Sequence, residues 1–432
     1  MRKMKDCGID WIGQVPNDWE ITRLRFTAEI VRGGSPRPIE SFISDDGEGF
    51  NWVKIGDADK DNKYITHTSC KIIRNGLSKT RMVHANDLIL TNSMSFGEPY
   101  IMGIDGCIHD GWVAFSKYKG IVKEFLYWCL LSDLCRIQFE KQVDGGVVQN
   151  LNIDKIGNTI VFLPPLAEQQ KIADFLDEKC GEIDSIRSDV QREIEILNDY
   201  KKSVITEAVT KGLNPKAKLK DSGIEWIGKI PEGWTIVPIN YLTTSRSGGT
   251  PDRNKSQYWE EGTIPWMASG EVNKFLVYDT KEKITELATR LSNAKIVPAN
   301  SVMVALNGQG KTKGMSAVLK IDAACNQSLC AFQCDPMRLN YMYLLYCFQS
   351  MYKFLRFQAG DDVRDGLAAS FVKKQRIPLP SLNEQNEIAS FIDEKCSEID
   401  ATIADKQKQL ETLDEYKKSL IFEYVTGKKE VP

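Results

Sequence analysis

The sequence of 432 residues lacks several features that would place it among membrane, secreted or disulfide-rich proteins. No apolar run approaches the roughly 18 residues that a membrane span needs, and residues 1–6 contain no apolar core of a secretory signal. Eleven cysteines are scattered singly rather than in a dense framework. We therefore expect reduced cysteines, a cytoplasmic location and no membrane partner.

Residues that commonly carry catalysis or bind metals are also scarce. Only three histidines are present, among them His109, and we interpret all three as structural residues. Cys325, Cys330 and Cys334 are separated by wider gaps than zinc-binding cysteine pairs usually have, and their neighbours are apolar. This spacing favours buried free thiols over a metal site.

Nucleotide and methyl-donor motifs are incomplete or missing. Lys311 and Thr312 end a glycine-rich segment that resembles a phosphate-binding loop, but Ala305 occupies the position of its first glycine. There is also no Asn-Pro-Pro-aromatic segment and no glycine-rich strand–turn–helix opening. The sequence therefore predicts no catalytic residues, no metal and no cofactor, and it assigns any bond chemistry to a separate chain.

The dominant feature that is present is a duplication with an offset of about 215 residues, as from Asp6 to Asp221. Solenoid repeats are far shorter, so an offset of this length indicates a duplicated domain plan. The repeated segments are Trp11-Ile12-Gly13 with Trp226-Ile227-Gly228, Gly33-Gly34-Ser35-Pro36 with Gly248-Gly249-Thr250-Pro251, and Tyr200-Lys201-Lys202-Ser203 with Tyr416-Lys417-Lys418-Ser419.

Each copy divides into a front part and a rear part. The front parts, residues 1–165 and 212–381, alternate short apolar stretches with Gly, Asn and Asp, which is typical of a β-rich α+β domain. The rear parts, residues 166–211 and 382–432, begin after prolines and continue with helical spacing. The predicted fold class is therefore α+β, with two pseudo-repeated β-rich domains and two long helices that form a coiled coil.

A seven-residue apolar repeat runs along each long helix, which is the pattern of a coiled-coil seam. One such helix cannot bury its apolar stripe alone, so its natural partner is the helix of the other copy. We expect Ile172, Ile186, Tyr200, Ile388 and Tyr416 at the intervening seam positions. The residues predicted to pack the helix pair are Leu176, Ile183, Val190, Leu197, Val204, Ile392, Ile399, Leu413 and Leu420.

The order of these motifs resembles the specificity subunit of type I restriction–modification systems. The resemblance rests on Trp-Ile-Gly…Pro…Trp at 11–19 and 226–234, on the two Gly-Gly-[Ser/Thr]-Pro segments, and on a Leu-Pro-x-Leu-x-Glu-Gln entry before each long helix (with two prolines in the first). Each motif is weak alone, but their doubled order is specific and covers essentially the whole chain. We expect the tryptophans to be packing anchors.

The resemblance implies a function and a set of partners. In that family two target-recognition domains each read one half of a split sequence in double-stranded DNA, and two antiparallel helices act as a spacer. Methyltransferase subunits, here expected to be two, dock on the helices, and restriction and translocation subunits complete the enzyme. The resemblance therefore implies a non-catalytic, DNA-binding specificity subunit.

Polar loops of the two front parts are the candidate DNA contacts. Arginine can bind guanine through two hydrogen bonds, Asn and Gln can read adenine, and lysine neutralises phosphates. A tight turn with positive φ explains Gly33 and Gly34 equally well. Residues 144–150 and 360–365 are further, weaker candidates. The predicted DNA-binding residues are Gly34, Ser35, Arg37, Asn92, Ser93, Ser95, Gly249, Thr250, Arg253, Asn307, Gln309, Lys311 and Lys313.

The net charge of −3 becomes informative only when the chain is divided. Residues 212–381 carry 22 basic and 15 acidic side chains, whereas residues 1–165 carry 20 and 21. The first front part must therefore concentrate its basic residues on one face or rely on its methyltransferase partner for phosphate contacts. Two alternative functions stay open: a coiled-coil adaptor that binds proteins, and a stand-alone restriction nuclease or methyltransferase.

Overall fold

The computed structural model describes residues 2–44, 47–93, 96–143, 151–308, 310–358 and 366–432. The chain forms two compact units, Met1–Arg192 with Gln407–Pro432 and Glu193–Lys406. Both dividing points fall inside a long helix. Each unit therefore contains the β-rich part of one repeat and helical segments from both repeats, so a structural unit differs from a sequence repeat.

The described strands of the first unit form one larger sheet, one smaller sheet and two short pairs. They are β1 (Met4–Asp6), β2 (Gln14–Pro16), β3 (Glu20–Arg23), β4 (Glu29–Arg32), β5 (Phe50–Val53), β6 (Tyr64–Ile65), β7 (Cys70–Ile72), β8 (Arg81–Val83), β9 (Leu88–Thr91), β10 (Pro99–Met102), β11 (Gly106–Ile108), β12 (Trp112–Ser116) and β13 (Ile160–Leu163). The larger sheet has the order β4-β12-β9-β10-β6 and the smaller β7-β5-β11-β8; β1 pairs with β2, and β3 with β13.

The second unit repeats this topology. Its described strands are β14 (Leu219–Asp221), β15 (Lys229–Pro231), β16 (Thr235–Pro238), β17 (Thr243–Ser247), β18 (Ile264–Met267), β19 (Leu276–Val277), β20 (Glu282–Ile284), β21 (Val302–Ala305), β22 (Ser316–Leu319), β23 (Ala324–Cys325), β24 (Leu329–Cys334) and β25 (Arg376–Leu379). The larger sheet has the order β17-β24-β21-β22-β19, and the smaller sheet has three strands, β20-β18-β23. In both units one edge strand of the larger sheet runs parallel to its neighbour.

The helices include two that are much longer than the rest. The described helices are α1 (Leu24–Thr27), α2 (Lys123–Leu131), α3 (Asp133–Val143), α4 (Ile153–Asn158), α5 (Leu166–Lys211), α6 (Glu286–Leu291), α7 (Tyr341–Ser350), α8 (Tyr352–Gln358), α9 (Ala369–Lys373) and α10 (Leu382–Val425). None of the helices in the described ranges is both long and apolar enough to cross a bilayer. The predicted α+β class with two long helices is confirmed.

The central strand of each larger sheet is buried at every position because both of its faces are covered. Along β9, Leu88 and Leu90 join the core beside the helices, while Ile89 joins the core beneath the smaller sheet. Along β21, Val302 and Met303 divide in the same way. Successive strand residues point to opposite faces, so one continuous apolar run supplies two cores.

In each unit the segments of α5 and α10 run antiparallel. In the first unit the rings of Phe175 and Tyr424 lie 4.6 Å apart, and Lys417 Nζ lies 2.6 Å from Asp184 Oδ1. In the second unit Lys201 Nζ lies 2.6 Å from Asp400 Oδ2. Partner numbers fall on one helix as they rise on the other, which is the antiparallel order implied by the resemblance.

All nine residues predicted to pack the helix pair are buried or half-buried, and Ile172 and Ile388 at the first intervening position of each helix are buried as predicted, but the later intervening positions differ from the prediction. Ile186, Tyr200 and Tyr416 are at least half exposed. The next residues along the chain, Arg187 and Lys201 among them, occupy the seam instead. The apolar pattern missed this register because charged side chains stand at several of its positions.

Each charged seam residue meets an acid on the other helix segment of its unit. The two described pairs with equivalent members are Asp184–Lys417 and Asp400–Lys201. These pairs are half exposed, so each contributes only about 0.2–1 kcal/mol. Their value lies in specificity, because polar groups at seam positions favour one register over the alternatives. The remaining seam pairs are Arg187–Asp414 at 2.6 Å and Lys406–Glu193 at 2.5 Å.

Each long helix ends at a glycine against which a tryptophan motif packs. Gly212 and Gly427 both have positive φ, as a C-terminal cap requires. A Cβ at Gly427 would lie 2.4 Å from Pro16 Cδ, and one at Gly212 would lie 3.0 Å from Trp234 Cζ2. Trp234 and its equivalent Trp19 are buried. The tryptophan motifs are therefore helix-packing anchors, as expected.

A buried glutamine at the start of each long helix holds the β-rich part in place. Gln169 accepts the Val122 N–H at 2.7 Å and donates to the carbonyls of Gly120 and Pro164 at 2.9 and 2.8 Å. Its equivalent, Gln385, makes the corresponding three hydrogen bonds. Both side chains are fully buried, which explains the Glu-Gln in the repeated entry motif.

Replacing Gln169 with leucine should destabilise the first unit. The substitution leaves buried backbone groups unpaired, and we expect a loss of about 2–4 kcal/mol in the free energy of unfolding. Denaturant unfolding monitored by tryptophan fluorescence measures this loss. The matched control is Gln170→Leu, because Gln170 is exposed on the next helix position. Equal stability of the two variants would contradict the assigned role.

Candidate nucleic-acid interface

Three loops of the first unit meet at one place, although the sequence singled out only two of them. Ser35 Oγ donates to Asp110 Oδ1 at 2.7 Å, and the Asn92 N–H donates to the Gly111 carbonyl at 2.9 Å. The loop before β12 therefore bridges the two predicted loops. We call this set the first loop cluster; it comprises residues 33–37, 92–93 and 109–111.

The second unit contains an equivalent second loop cluster, made of residues 248–253, 306–308 and 326–328. The Gly249 N–H donates to the Cys325 carbonyl at 2.9 Å, and the Leu306 N–H donates to the Ser328 carbonyl at 2.7 Å. The Thr250 hydroxyl also donates to the Gln327 side chain. The backbone arrangement recurs while most side chains differ, so the two clusters present different polar surfaces on one scaffold.

The first glycine of each Gly-Gly pair allows a close backbone approach. A Cβ at Gly33 would lie 2.1 Å from the His109 carbonyl oxygen, and a Cβ at Gly248 would lie 2.3 Å from the Asn326 carbonyl oxygen. None of Gly33, Gly34 and Gly248 has positive φ. The explanation by a tight turn is therefore wrong, and glycine is needed because any side chain would separate the loops.

The first unit concentrates exposed basic side chains around its cluster. Arg32 Nε donates to the Asp110 carbonyl at 2.9 Å, and Arg81 Nε donates to the Arg32 carbonyl at 3.2 Å. Arg37 and Lys79 are exposed beside them. These four residues form the basic patch. The patch shows how a front part with nearly balanced charge can offer a positive face.

One carboxylate lies within the basic patch. The hydrogen bond from Ser35 and the charge of Arg32 lower the pKa of Asp110 below its ordinary value, against the opposing effect of burial. Asp110 therefore stays ionised at neutral pH and orients the loop. The Arg37 side chain remains 82% exposed, and its contact with Asp110 is a long one of 3.5 Å. Arg37 is thus available to a phosphate or a base.

Asp252 stands at the position equivalent to Arg37, and the next residue, Arg253, is the arginine of the second cluster and is held more firmly than Arg37. Its guanidinium lies 3.8 Å from the centroid of the Trp259 ring and makes two hydrogen bonds, at 2.5 and 2.9 Å, to the Glu282 carboxylate. This ion pair lowers the pKa of Glu282 and raises that of Arg253. A DNA contact by Arg253 would therefore compete with Glu282.

Several predicted contacts do not reach the surface. Asn92 is 1% exposed and Lys313 is 7% exposed. Strand packing buries Asn92 at the end of β9, a position that resembles a polar loop in the sequence. Ser95 and Gln309 lie outside the described residues, as do the segments 144–150 and 359–365.

The remaining candidates divide between open and enclosed positions. Thr250, Asn307 and Lys311 are exposed, Gly34, Ser35 and Ser93 are half-buried, and Gly249 is buried. Residues 109–111 and 326–328 were missed because no repeated motif marks them and because Asp110, their one charged residue, is acidic and does not suggest a DNA contact. Within the described ranges no group of three or more His, Cys, Asp or Glu side chains could hold a metal ion.

The two loop clusters on a duplicated α+β scaffold give the protein two similar but distinct polar surfaces. The whole-chain fold is also that of solved structures. One of them is a structure that describes complex assembly and conformational transition of the type I R-M system. It aligns with a TM-score of 0.74 at 17% identity, over 96% of this chain and 99% of that chain. The HsdS subunit from Thermoanaerobacter tengcongensis aligns with a TM-score of 0.52 at 16% identity, over 96% and 98%.

Sequence comparisons identify the family. The model of the type I restriction modification DNA specificity domain matches twice, at residues 16–195 and 231–412. The MjaVIII specificity subunit of Methanocaldococcus jannaschii is 24% identical over 96% of this chain and 94% of its own length. The EcoR124I/EcoR124II specificity subunit of Escherichia coli is 27% identical over 48% and 51%. The chain belongs to the type I restriction–modification DNA specificity family, and the predicted non-catalytic specificity subunit is confirmed.

Replacing Arg37 with alanine should weaken DNA binding without altering stability. Because its side chain is open, we expect the slope of log affinity against log salt to become shallower by about 1 if it neutralises a phosphate. Fluorescence anisotropy over a salt series, with the chain assembled with its modification subunits, measures this slope. The control is Lys119→Ala, since Lys119 is exposed beyond the far end of β12. Identical slopes for both variants would remove Arg37 from the interface.

Proposed function

We propose that the chain reads a bipartite, asymmetric DNA sequence, with one loop cluster directed at each half. The observation that carries this proposal is the recurrence of the cluster with different side chains. Ser35 and Asp110 in the first cluster correspond in place to Thr250 and Gln327 in the second. Arg37 corresponds to Asp252, which is followed by the tethered Arg253. Different polar surfaces select different bases, so the two half-sites differ.

We further propose that residues 1–165 and 212–381 are the two target-recognition domains. Residues 166–211 and 382–432 then serve as the spacer, since α5 and α10 each contribute to both compact units. An uninterrupted helix is a stiff connection, with about 1.5 Å of length per residue. Helix length is therefore the quantity that fixes the gap between the half-sites.

Two methyltransferase subunits dock on the helices in this proposal, one for each unit. Tyr200 and Tyr416 occupy equivalent positions and are 56% and 55% exposed. Tyrosine is enriched at protein interfaces, where its ring is buried and its hydroxyl finds a polar partner. Two equivalent exposed tyrosines fit two copies of one partner. Restriction and translocation subunits complete the assembly, which acts in the cytoplasm beside the double-stranded DNA.

Selection from a random pool of DNA duplexes tests the proposed function. The chain assembled with its modification subunits should enrich two different short sequences separated by a constant gap. Exchanging Thr250 and Asn307 for alanine should relax only one of the two. Enrichment without sequence preference would contradict the proposal and favour the protein-binding adaptor. Methylation by the chain alone, with only a methyl donor added, would favour the stand-alone enzyme.

A further inference from the structure

His109 and Asn326 occupy the same place in the two loop clusters. Each is the first residue of its bridging loop, after β11 or β23, and the carbonyl oxygens of His109 and Asn326 would lie 2.1 and 2.3 Å from a Cβ at the facing glycine. The two side chains are of different chemical types, and neither belongs to a sequence motif. Their equivalence is visible only from the backbone arrangement.

The two side chains make the same local hydrogen bond. His109 Nδ1 accepts the Gly111 N–H at 2.8 Å, and Asn326 Oδ1 accepts the Ser328 N–H at 3.1 Å. Both bonds reach two residues along the chain, as in an Asx-turn. Each bond fixes the orientation of its side chain and stabilises the loop at the centre of its cluster.

This arrangement leaves a nitrogen donor on each side chain. Because Nδ1 accepts a hydrogen bond, the neutral His109 ring carries its proton on Nε2. Asn326 Nδ2 carries two hydrogens. Within the described ranges the hydrogen bonds of the two side chains are made by Nδ1 and Oδ1 and none by Nε2 or Nδ2, and both residues are half-buried rather than enclosed. Each cluster therefore presents an oriented, unpaired donor.

The surroundings of His109 favour the neutral ring. Its centroid lies 6.0 Å from that of Trp52 and 6.3 Å from that of Trp112. Burial among these rings lowers the pKa of His109, and the charge of Asp110 only partly offsets the effect. Protonation at low pH would remove the Nδ1 acceptor and break the bond from Gly111. The oriented donor is thus a property of the neutral form.

We propose that His109 and Asn326 are paired specificity-determining residues, each donating a hydrogen bond to a base-edge acceptor in its own half-site. The inference rests on the proposed function, because it assumes that the loop clusters face DNA. Guanine N7 and O6, adenine N7 and thymine O4 are acceptors of the required kind in the major groove. A side chain whose orientation is already fixed loses little conformational entropy on binding, and this favours discrimination between bases.

The test exchanges the two residue types in the assembled complex with its modification subunits. The variants are His109→Asn and Asn326→His, and the readout is the consensus selected from a random duplex pool. His109→Asn should change the preference at one position of the first half-site by about tenfold or more, with the second half-site unchanged. Asn326→His should change the preference at one position of the second half-site and leave the first half-site unchanged. Thermal unfolding controls for the fold, since asparagine can still accept the Gly111 N–H.

A second variant guards against misfolding. Asn326→Ala removes the donor without adding volume, and it should relax the same position that Asn326→His alters. Unchanged preferences in all three variants, with wild type still selective, would overturn this inference alone. A uniform loss of affinity across all sequences would also overturn it and indicate a phosphate contact. Absence of any preference in wild type would overturn the proposed function and this inference together.

Discussion

The structure depends on the need of each long helix for a partner. An amphipathic helix as long as α5 or α10 exposes its apolar stripe unless a second helix covers it. In each compact unit a segment of α5 packs against a segment of α10, so each unit contains helix from both repeats. Ion pairs such as Asp184–Lys417 bias the register. The duplicated sequence therefore supplies the second helix that each long helix needs.

Residues at the start of each long helix hold the β-rich part of the same unit in position. Gln169 and Gln385 bind backbone groups that precede α2 and α7, and they fix where those small helices stand. Trp128 and Tyr346 then hydrogen-bond the equivalent acids Asp177 and Asp393 on the long helices. The two aromatic side chains are buried, and the contacts recur in both units. The loop clusters can diverge because they lie outside this shared framework.

Much of the architecture could be predicted from the sequence, since duplication, β-rich fronts and heptads are local patterns. The later intervening seam positions could not be predicted, because Arg187 and Lys201 are seam residues only once their acidic partners are placed. Asn92 resembled a loop residue, but strand packing buries it. His109 and Asn326 share no residue type, so only the hydrogen bonds reveal their equivalence. The candidate site was thus partly predicted, and its centre was missed.

The central claim is that both loop clusters face DNA. Hydrogen–deuterium exchange of the assembled complex, with and without a duplex that carries the selected sequence, tests it most directly. The account predicts slowed exchange in residues 33–37 and 109–111, and equally in residues 249–253 and 326–328. A duplex altered in one half should protect only the other cluster. DNA-dependent protection confined to residues 57–63, where Lys63 contacts Asp177 of the long helix, would contradict the account.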